Sequence, residues 1–281
     1  METNSAKIRS AAELKQLANE IRKDIIRMTS AAGSGHPGGS LSAVELVTAL
    51  YFKLMRHDPK NPKWEDRDRF ILSKGHASPV LYSALAHAGY FPVEKLLDFR
   101  KLGNPLQGHP DCRRIPGLEA STGSLGQGLS IGIGIALGGK IQKKDYYTYV
   151  LMSDGEMNEG QTWEGAAFAA FRKLDRLILM VDNNKYQLSD ACSSILDMES
   201  LRDKWHSFNW HVIELEDGND LDSVVSGLEA AKKIKEKPTV LIAHTIKGKG
   251  VSFMENNNHF HGVAPTKEEA AKALKELEGR T

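Results

Sequence analysis

Apolar positions recur at helical spacing between residues 12 and 32, where Leu14, Leu17, Ile21, Ile25 and Met28 share one face. The run Gly33-Ser34-Gly35-His36-Pro37-Gly38-Gly39 ends that pattern as a loop. Ser40 is then placed to cap a second helix that buries Leu41, Val44, Val47, Leu50 and Leu54. Asp58-Pro59-Lys60-Asn61-Pro62 reads as a turn-rich loop, and Phe70-Ile71-Leu72 as a short buried strand. Ser73-Lys74-Gly75-His76 follows, with a helix running toward Gly89. Residues 101–120 are dense in Gly and Pro and predict an ordered loop over a site. Leu125 to Lys140 is a Gly/Ala/Ile-rich helix with one small face, suited to close packing against a neighbour. Further strands are expected at Tyr146–Met152, Leu177–Val181, Val212–Leu215 and Val240–Ala243. Helices are expected at Glu159–Lys173 and near 199–207 and 220–235. Trp163, Phe168 and Phe171 read as core, and the tail Lys267–Thr281 as a charged, solvated surface helix.

Strands that alternate with helices predict the α/β class: a mostly parallel sheet flanked by helices on both faces. Ligands in such sheets sit beyond the carboxyl ends of the strands. The chain has 281 residues, 41% of them hydrophobic, enough for a single large core, so one domain spanning 1–281 is expected. A formal net charge of +1 gives no bulk electrostatic argument for nucleic acid. Cys112 and Cys192 stand far apart with no CxxC, which fits a reducing compartment. No apolar run approaches the ~20 residues that span a bilayer, and Met1-Glu2-Thr3-Asn4-Ser5 lacks the basic and apolar regions of a signal peptide. A cytoplasmic protein is expected, with no membrane or nucleic-acid partner.

The candidate chemistry is concentrated between Ser153 and Asn184. An acidic turn, Ser153-Asp154-Gly155, follows one expected strand, and Asp182-Asn183-Asn184 ends the next. Asp154 offers a carboxylate, Asn184 an amide oxygen, and Tyr186, two residues on, a backbone carbonyl. Such oxygens suit a hard divalent cation held against a diphosphate. Gly155 lets the backbone approach a phosphate. Each turn alone reads as an ordinary strand end; placed across one strand–helix–strand unit, they read together as a site. No GxGxxG opens a helix after an early strand, which disfavours a dinucleotide. Of ten histidines, His36, His76, His109 and His261 sit beside glycine in loops, placed to meet a ligand's hydroxyls or phosphates or to move protons near neutral pH. His57, His87, His206, His211 and His244 lack that setting and read as structural. Lys247-Gly248-Lys249-Gly250 reads equally as a phosphate-approaching segment or a flexible loop, and Glu156 as a helix-start carboxylate near the dipole.

The chain resembles the amino-terminal, diphosphate-binding part of transketolases, through SGHPGG, RDRFILSKGHA, GHPD, STGSLGQGLS, SDGEMNEGQTWE, DNNK and HTIKGKGVSF followed by FHGVAP. These motifs occur in the family's order across nearly the whole chain. The resemblance implies the thiamine-diphosphate-binding fold, thiamine diphosphate as cofactor, and transfer of a two-carbon ketol unit from a ketose phosphate to an aldose phosphate. It implies that Asp154, Asn184 and the Tyr186 carbonyl hold Mg²⁺ or Ca²⁺, that Gly155, His76 and His261 lie near the diphosphate, and that Gly123, Ser124 and Leu125 lie beside the aminopyrimidine. His36, His109 and His261 would face the ketose, and Glu159 would lie at a subunit interface. Ser153 departs from the family's first Gly of Gly-Asp-Gly, and Phe260 from a Trp before His-Gly. The pyrimidine-binding and third domains would lie on a second polypeptide, making this chain the amino-terminal subunit of a split transketolase. A heterotetramer with two copies of each chain is expected. A pentose phosphate, an apiose-derived ketose and a sulfonated ketose are all compatible substrates. The rival readings are the alpha subunit of a 2-oxoacid dehydrogenase or decarboxylating synthase, and a non-catalytic scaffold half.

Overall fold

The structure, a computed structural model, describes residues 10–279; the chain start used for the signal-peptide expectation lies outside them. Helix α1 (Ala11–Ala32) begins at a capping box in which Ser10 and Glu13 satisfy each other's backbone N–H groups. It ends at Gly33, whose φ of 58° closes the last turn. The expected second helix is broken into α2 (Pro37–Ser42), α3 (Val44–Ala49) and a π-helical turn over Leu50–Leu54. Its start also differs from expectation. His36 stands at the N-cap with Pro37 in the first turn, where proline's missing N–H costs nothing. Ser40 lies inside the helix, its hydroxyl donating back to the His36 carbonyl at 2.7 Å.

The remaining elements follow in order: β1 (Arg69–Leu72), α4 (Ser78–His87), α5 (Gln127–Ile141), β2 (Thr148–Ser153), α6 (Gly160–Phe171) and β3 (Leu177–Asn183). Then come α7 (Cys192–Ile195), α8 (Leu201–Ser207), β4 (His211–Leu215), α9 (Leu221–Ala231), β5 (Thr239–His244) and α10 (Lys267–Glu278). The five strands pair in the order β1-β2-β3-β5-β4, every pair parallel. Alternate strand residues feed two cores. Leu72, Leu151, Met180 and Leu241 pack with α1, α3, α4 and α9 on one face. Ile71, Val150, Leu179 and Ile242 pack with α5, α6 and α8 on the other. Burial on both faces explains why these strands read as continuous apolar runs.

Two expectations about side chains are corrected. Phe168 and Phe171 are 44% and 79% exposed, on the outer face of α6, while Trp163 does join the core beside Trp205 and Phe208. Helix α10 is charged, but it buries Ala270, Ala273 and Leu277 against α1, where Asn19 Nδ2 donates to the Leu277 carbonyl at 2.8 Å. No helix among the described residues is long and apolar enough to cross a membrane.

Candidate active site

Four neighbouring strands, β1, β2, β3 and β5, end at the same edge of the sheet, and each releases a loop of polar residues there. Lys74 and His76 follow β1, Asp154 and Gly155 follow β2, Asn184 and Tyr186 follow β3, and Lys247 follows β5. With the loops bearing His36, His109, Gly123 and His261, these segments enclose a cavity of about 270 Å³. Its walls include His36, His76, His109, His261, Gly123, Leu125, Gly155, Asn184, Tyr186 and Lys247. The four glycine-flanked histidines, far apart in sequence, thus converge. The rings of His36, His76 and His261 lie with centroids 5.2–5.7 Å apart. Gly123 is required beneath His109. Its φ is +146°, and a Cβ there would come within 2.7 Å of the imidazole.

Burial holds these imidazoles neutral. It lowers His36 to about 4, with Arg100, His109 and Lys247 adding to the effect. It lowers His261 to about 3, helped by Lys247. His76 is pushed well below its ordinary value, and His109 is lowered by burial and by Arg100. Neutral rings offer one nitrogen to accept and one to donate a hydrogen bond, which suits a hydroxylated ligand.

The oxygen ligands behave differently from one another. Ser153 pairs with Asp182 in the β2–β3 ladder, which sets the two strand ends side by side. The carboxylate of Asp154 accepts the backbone N–H groups of Gly155 at 2.9 Å and of Lys185 at 2.6 Å. It is 6% exposed, and burial together with Asp182 raises it to about 7. Asn184 is oriented by its amide nitrogen, which donates to Asp182 at 3.2 Å, and its oxygen accepts the N–H of Tyr186 at 3.2 Å. Asp154 lines an adjoining depression with Asn183, Tyr186 and Cys192 and is absent from the walls of the histidine cavity, where its neighbours Ser153 and Gly155 stand. Burial and the Asp154 carboxylate push the Cys192 thiol up to about 12.

Several functional side chains had weak sequence signals. Lys247, left open between two readings, is buried with its ammonium 2.8 Å from Asn258 Oδ1 and 2.7 Å from His261 Nδ1. Burial and the neighbouring Lys74 lower it to about 8. Lys74 reaches the cavity while paired with the buried Asp182. Gln187 lines the same cavity, and its amide nitrogen is buried without a partner among the described residues. Glu156 does begin a short helical turn, but its role is larger. Fully buried, it accepts from Ser73 Oγ at 2.5 Å and from the backbones of Gly126 and Ser153 at 2.9 Å, tying together three loops of the site. Ser124 is exposed and is absent from the cavity's walls, and Glu159 stands at the N-cap of α6 outside it.

The residues present fit a cation-bound diphosphate. Among the described residues Asp154 is a buried carboxylate with no bonded side-chain cation, Asn184 and the Tyr186 backbone supply further hard oxygens, and the Gln187 amide and Lys247 ammonium line the cavity beside them as donors.

Residues 13–280 match the family described as transketolase, thiamine diphosphate binding domain. The chain belongs to that family. It is 46% identical over 266 residues to the 6-deoxy-6-sulfo-D-fructose transketolase subunit SqwG of Clostridium sp. (strain MSTE9), covering 95% of this chain and 96% of that one. It is 40% identical over 259 residues to one of the subunits of the apulose-4-phosphate transketolase of Phocaeicola vulgatus, covering 92% of each. The crystal structure of the Campylobacter jejuni transketolase superposes with a TM-score of 0.90 at 32% identity, over 96% of this chain and 43% of that one. The chain therefore spans less than half of the full-length transketolases it matches, while matching the named subunits along nearly their whole length.

Proposed function

We propose that this chain is the diphosphate-binding subunit of a two-polypeptide transketolase, which moves a two-carbon ketol unit from a ketose to an aldose. The observation that carries the reading is the cavity in which four histidines, lowered by burial, and the Lys247 ammonium meet Asn184 and Tyr186, with Asp154 in the adjoining depression. Thiamine diphosphate, when bound, supplies the carbon nucleophile and the electron sink for carbon–carbon cleavage. This chain's residues hold and orient. Asp154, Asn184 and the Tyr186 carbonyl bind Mg²⁺ or Ca²⁺. Gly155, His76, His261, Lys247 and Gln187 take the diphosphate oxygens. The backbone around Gly123, Ser124 and Leu125 meets the pyrimidine ring. His36, His109 and His261 hydrogen-bond the ketose hydroxyls and carry protons between them, and Glu159 lies between copies of the enzyme.

A second chain would complete the site, with two copies of each in the assembly. The match to named subunits supports a partner, as does the exposure of Phe168 and Phe171 on α6. A sulfonated ketose or an apulose-type phosphate is the substrate class suggested by the relatives, with pentose phosphates a third choice for assay. The unpaired Cys112 and Cys192 accord with a cytoplasmic setting. The test mixes the chain with its neighbouring carboxyl-terminal partner, thiamine diphosphate and Mg²⁺, and follows ketol transfer from each ketose class. Transfer that requires both chains and disappears in Asp154→Ala supports the reading. Transfer that survives Asp154→Ala undiminished, or turnover of pyruvate but of no ketose, overturns it.

A further inference from the structure

Two of the substrate-facing histidines, His36 and His109, are each preceded by glycine, and a pair of consecutive side chains fills the space beside both glycines. A Cβ on Gly35 would lie 2.8 Å from Thr29 Cγ2 and 3.2 Å from the ring of Phe99. A Cβ on Gly108 would lie 2.5 Å from Arg100 Nη2 and 2.7 Å from its guanidinium carbon. Phe99 is buried and packs against Tyr82, with ring centroids 6.2 Å apart. Arg100 adopts a φ of 60°, sparsely populated for a side chain of its size, and its backbone N–H donates to the Leu106 carbonyl at 2.7 Å. From that position Nη1 donates to Ser34 Oγ at 2.8 Å, two residues before His36, while the other half of the fork lies on Gly108. Helix α4 holds the opposite side of the second loop. Ser78 Oγ donates to the Gly108 carbonyl at 3.0 Å, and the Tyr82 hydroxyl donates to the Gln107 carbonyl at 2.8 Å. Arg100 Nε is buried without a partner among the described residues, so this geometry is not one that maximises the arginine's own hydrogen bonds.

We propose that Phe99-Arg100 is a wedge that sets the spacing of the two histidine loops, with Arg100 a positioning residue for His109 and His36. The inference rests on the reading that these histidines face the ketose. A planar fork is needed because one side chain must reach Ser34 and Gly108 together, which a single-point ammonium cannot do. The guanidinium is also a positive charge that, after burial, lowers His109. The other groups facing that ring are His36 and His76, with Asp111 two residues on and tied to Arg113 at 3.0 Å. Arg100 thus acts on the imidazole in two separable ways, by geometry and by charge.

The test uses Arg100→Lys, which keeps the charge but not the fork, and Arg100→Met, which keeps neither. In the full chain with labelled histidine, NMR follows the titration of the His109 ring, assigned by His109→Gln. In the complex with its partner, kcat and KM are measured across pH. For Arg100→Met the His109 midpoint moves up toward the ordinary imidazole range. Arg100→Lys keeps the wild-type midpoint and pH profile while kcat/KM falls about tenfold, as expected for displaced catalytic groups. An unchanged His109 midpoint in Arg100→Met, or a wild-type kcat/KM in Arg100→Lys, overturns the proposal. The lysine variant decides the matter if the methionine variant does not fold. Should the wild-type complex show no ketol transfer, the proposed function falls, and the His109 titration still decides whether Arg100 governs that ring.

Discussion

Asp154 and Asp182 end neighbouring strands and are both buried, yet the chain treats them in opposite ways. Asp182 is saturated. It accepts from the ammonium of Lys74, the hydroxyls of Ser42 and Thr245, and the amide of Asn184. Asp154 receives two backbone N–H groups and is raised to about 7 by burial and by Asp182 itself. A buried carboxylate with its own cation belongs to the architecture. One left short of positive charge, beside further oxygen atoms, suits the cation proposed above. The contrast separates a residue that holds the site together from one that, in the proposed function, holds its ligand.

The sharpest way to break this comparison is to exchange the consequences. Asp182→Ala strands Lys74 in the interior and is expected to cost about 3–5 kcal/mol of stability, read by urea denaturation. Asp154→Asn is expected to leave the chain folded in circular dichroism and to weaken Mg²⁺-dependent retention of thiamine diphosphate roughly 100-fold, read by titration calorimetry on the assembled complex. If Asp154→Asn unfolds the chain while Asp182→Ala merely loses cofactor, the assignment of roles is reversed.

Lys247 sharpens the picture from the cationic side. Its folded value is about 8 against an ordinary 10.5, so between those values the unfolded chain holds the extra proton. Stability should therefore rise as pH climbs from about 8 to 10.5, and the cost of burying the ammonium is fully present below 8. That cost is on the order of 3 kcal/mol. The difference in melting temperature between the wild-type chain and Lys247→Met should favour the variant at pH 7 and close as pH rises, while the variant loses diphosphate affinity. A constant difference across that range would place Lys247 outside the site's electrostatics. The smallest effect concerns Cys192, raised to about 12. Its alkylation by iodoacetamide at pH 7.5 should be slower than that of a cysteine in the unfolded chain, measured by mass spectrometry.

The parts of the fold legible from sequence were those with a repeating physical signal. The helical spacing of α1, the apolar strands and the punctuation between them anticipated a parallel sheet whose ends carry the chemistry. The glycine-flanked histidines were legible as loop residues, and the structure brings all four to one cavity. The misreadings share a different cause. Ser40 has the chemistry of a cap, but Pro37 begins the helix three residues earlier. Phe168 and Phe171 have core chemistry, but their side of α6 is left exposed, with Arg172 over the Phe168 ring. The hydrophobic tail stripe of Ala270, Ala273 and Leu277 was hidden among charges and became visible once α1 lay beneath it. Strand β3 ran two residues beyond Val181, so that Asp182, read as part of a strand end, lies within the sheet and pairs with Lys74 from 108 positions away.

The amino-acid sequence alone determined the class of fold, the order of its elements and the loops that carry reactive groups, because local spacing and turn chemistry act over a few residues. Only the tertiary structure decided which buried groups are matched and which are left wanting. A carboxylate's state depends on what burial places around it, and for Asp154 and Asp182 those surroundings come from strands and loops that meet only when the sheet has formed.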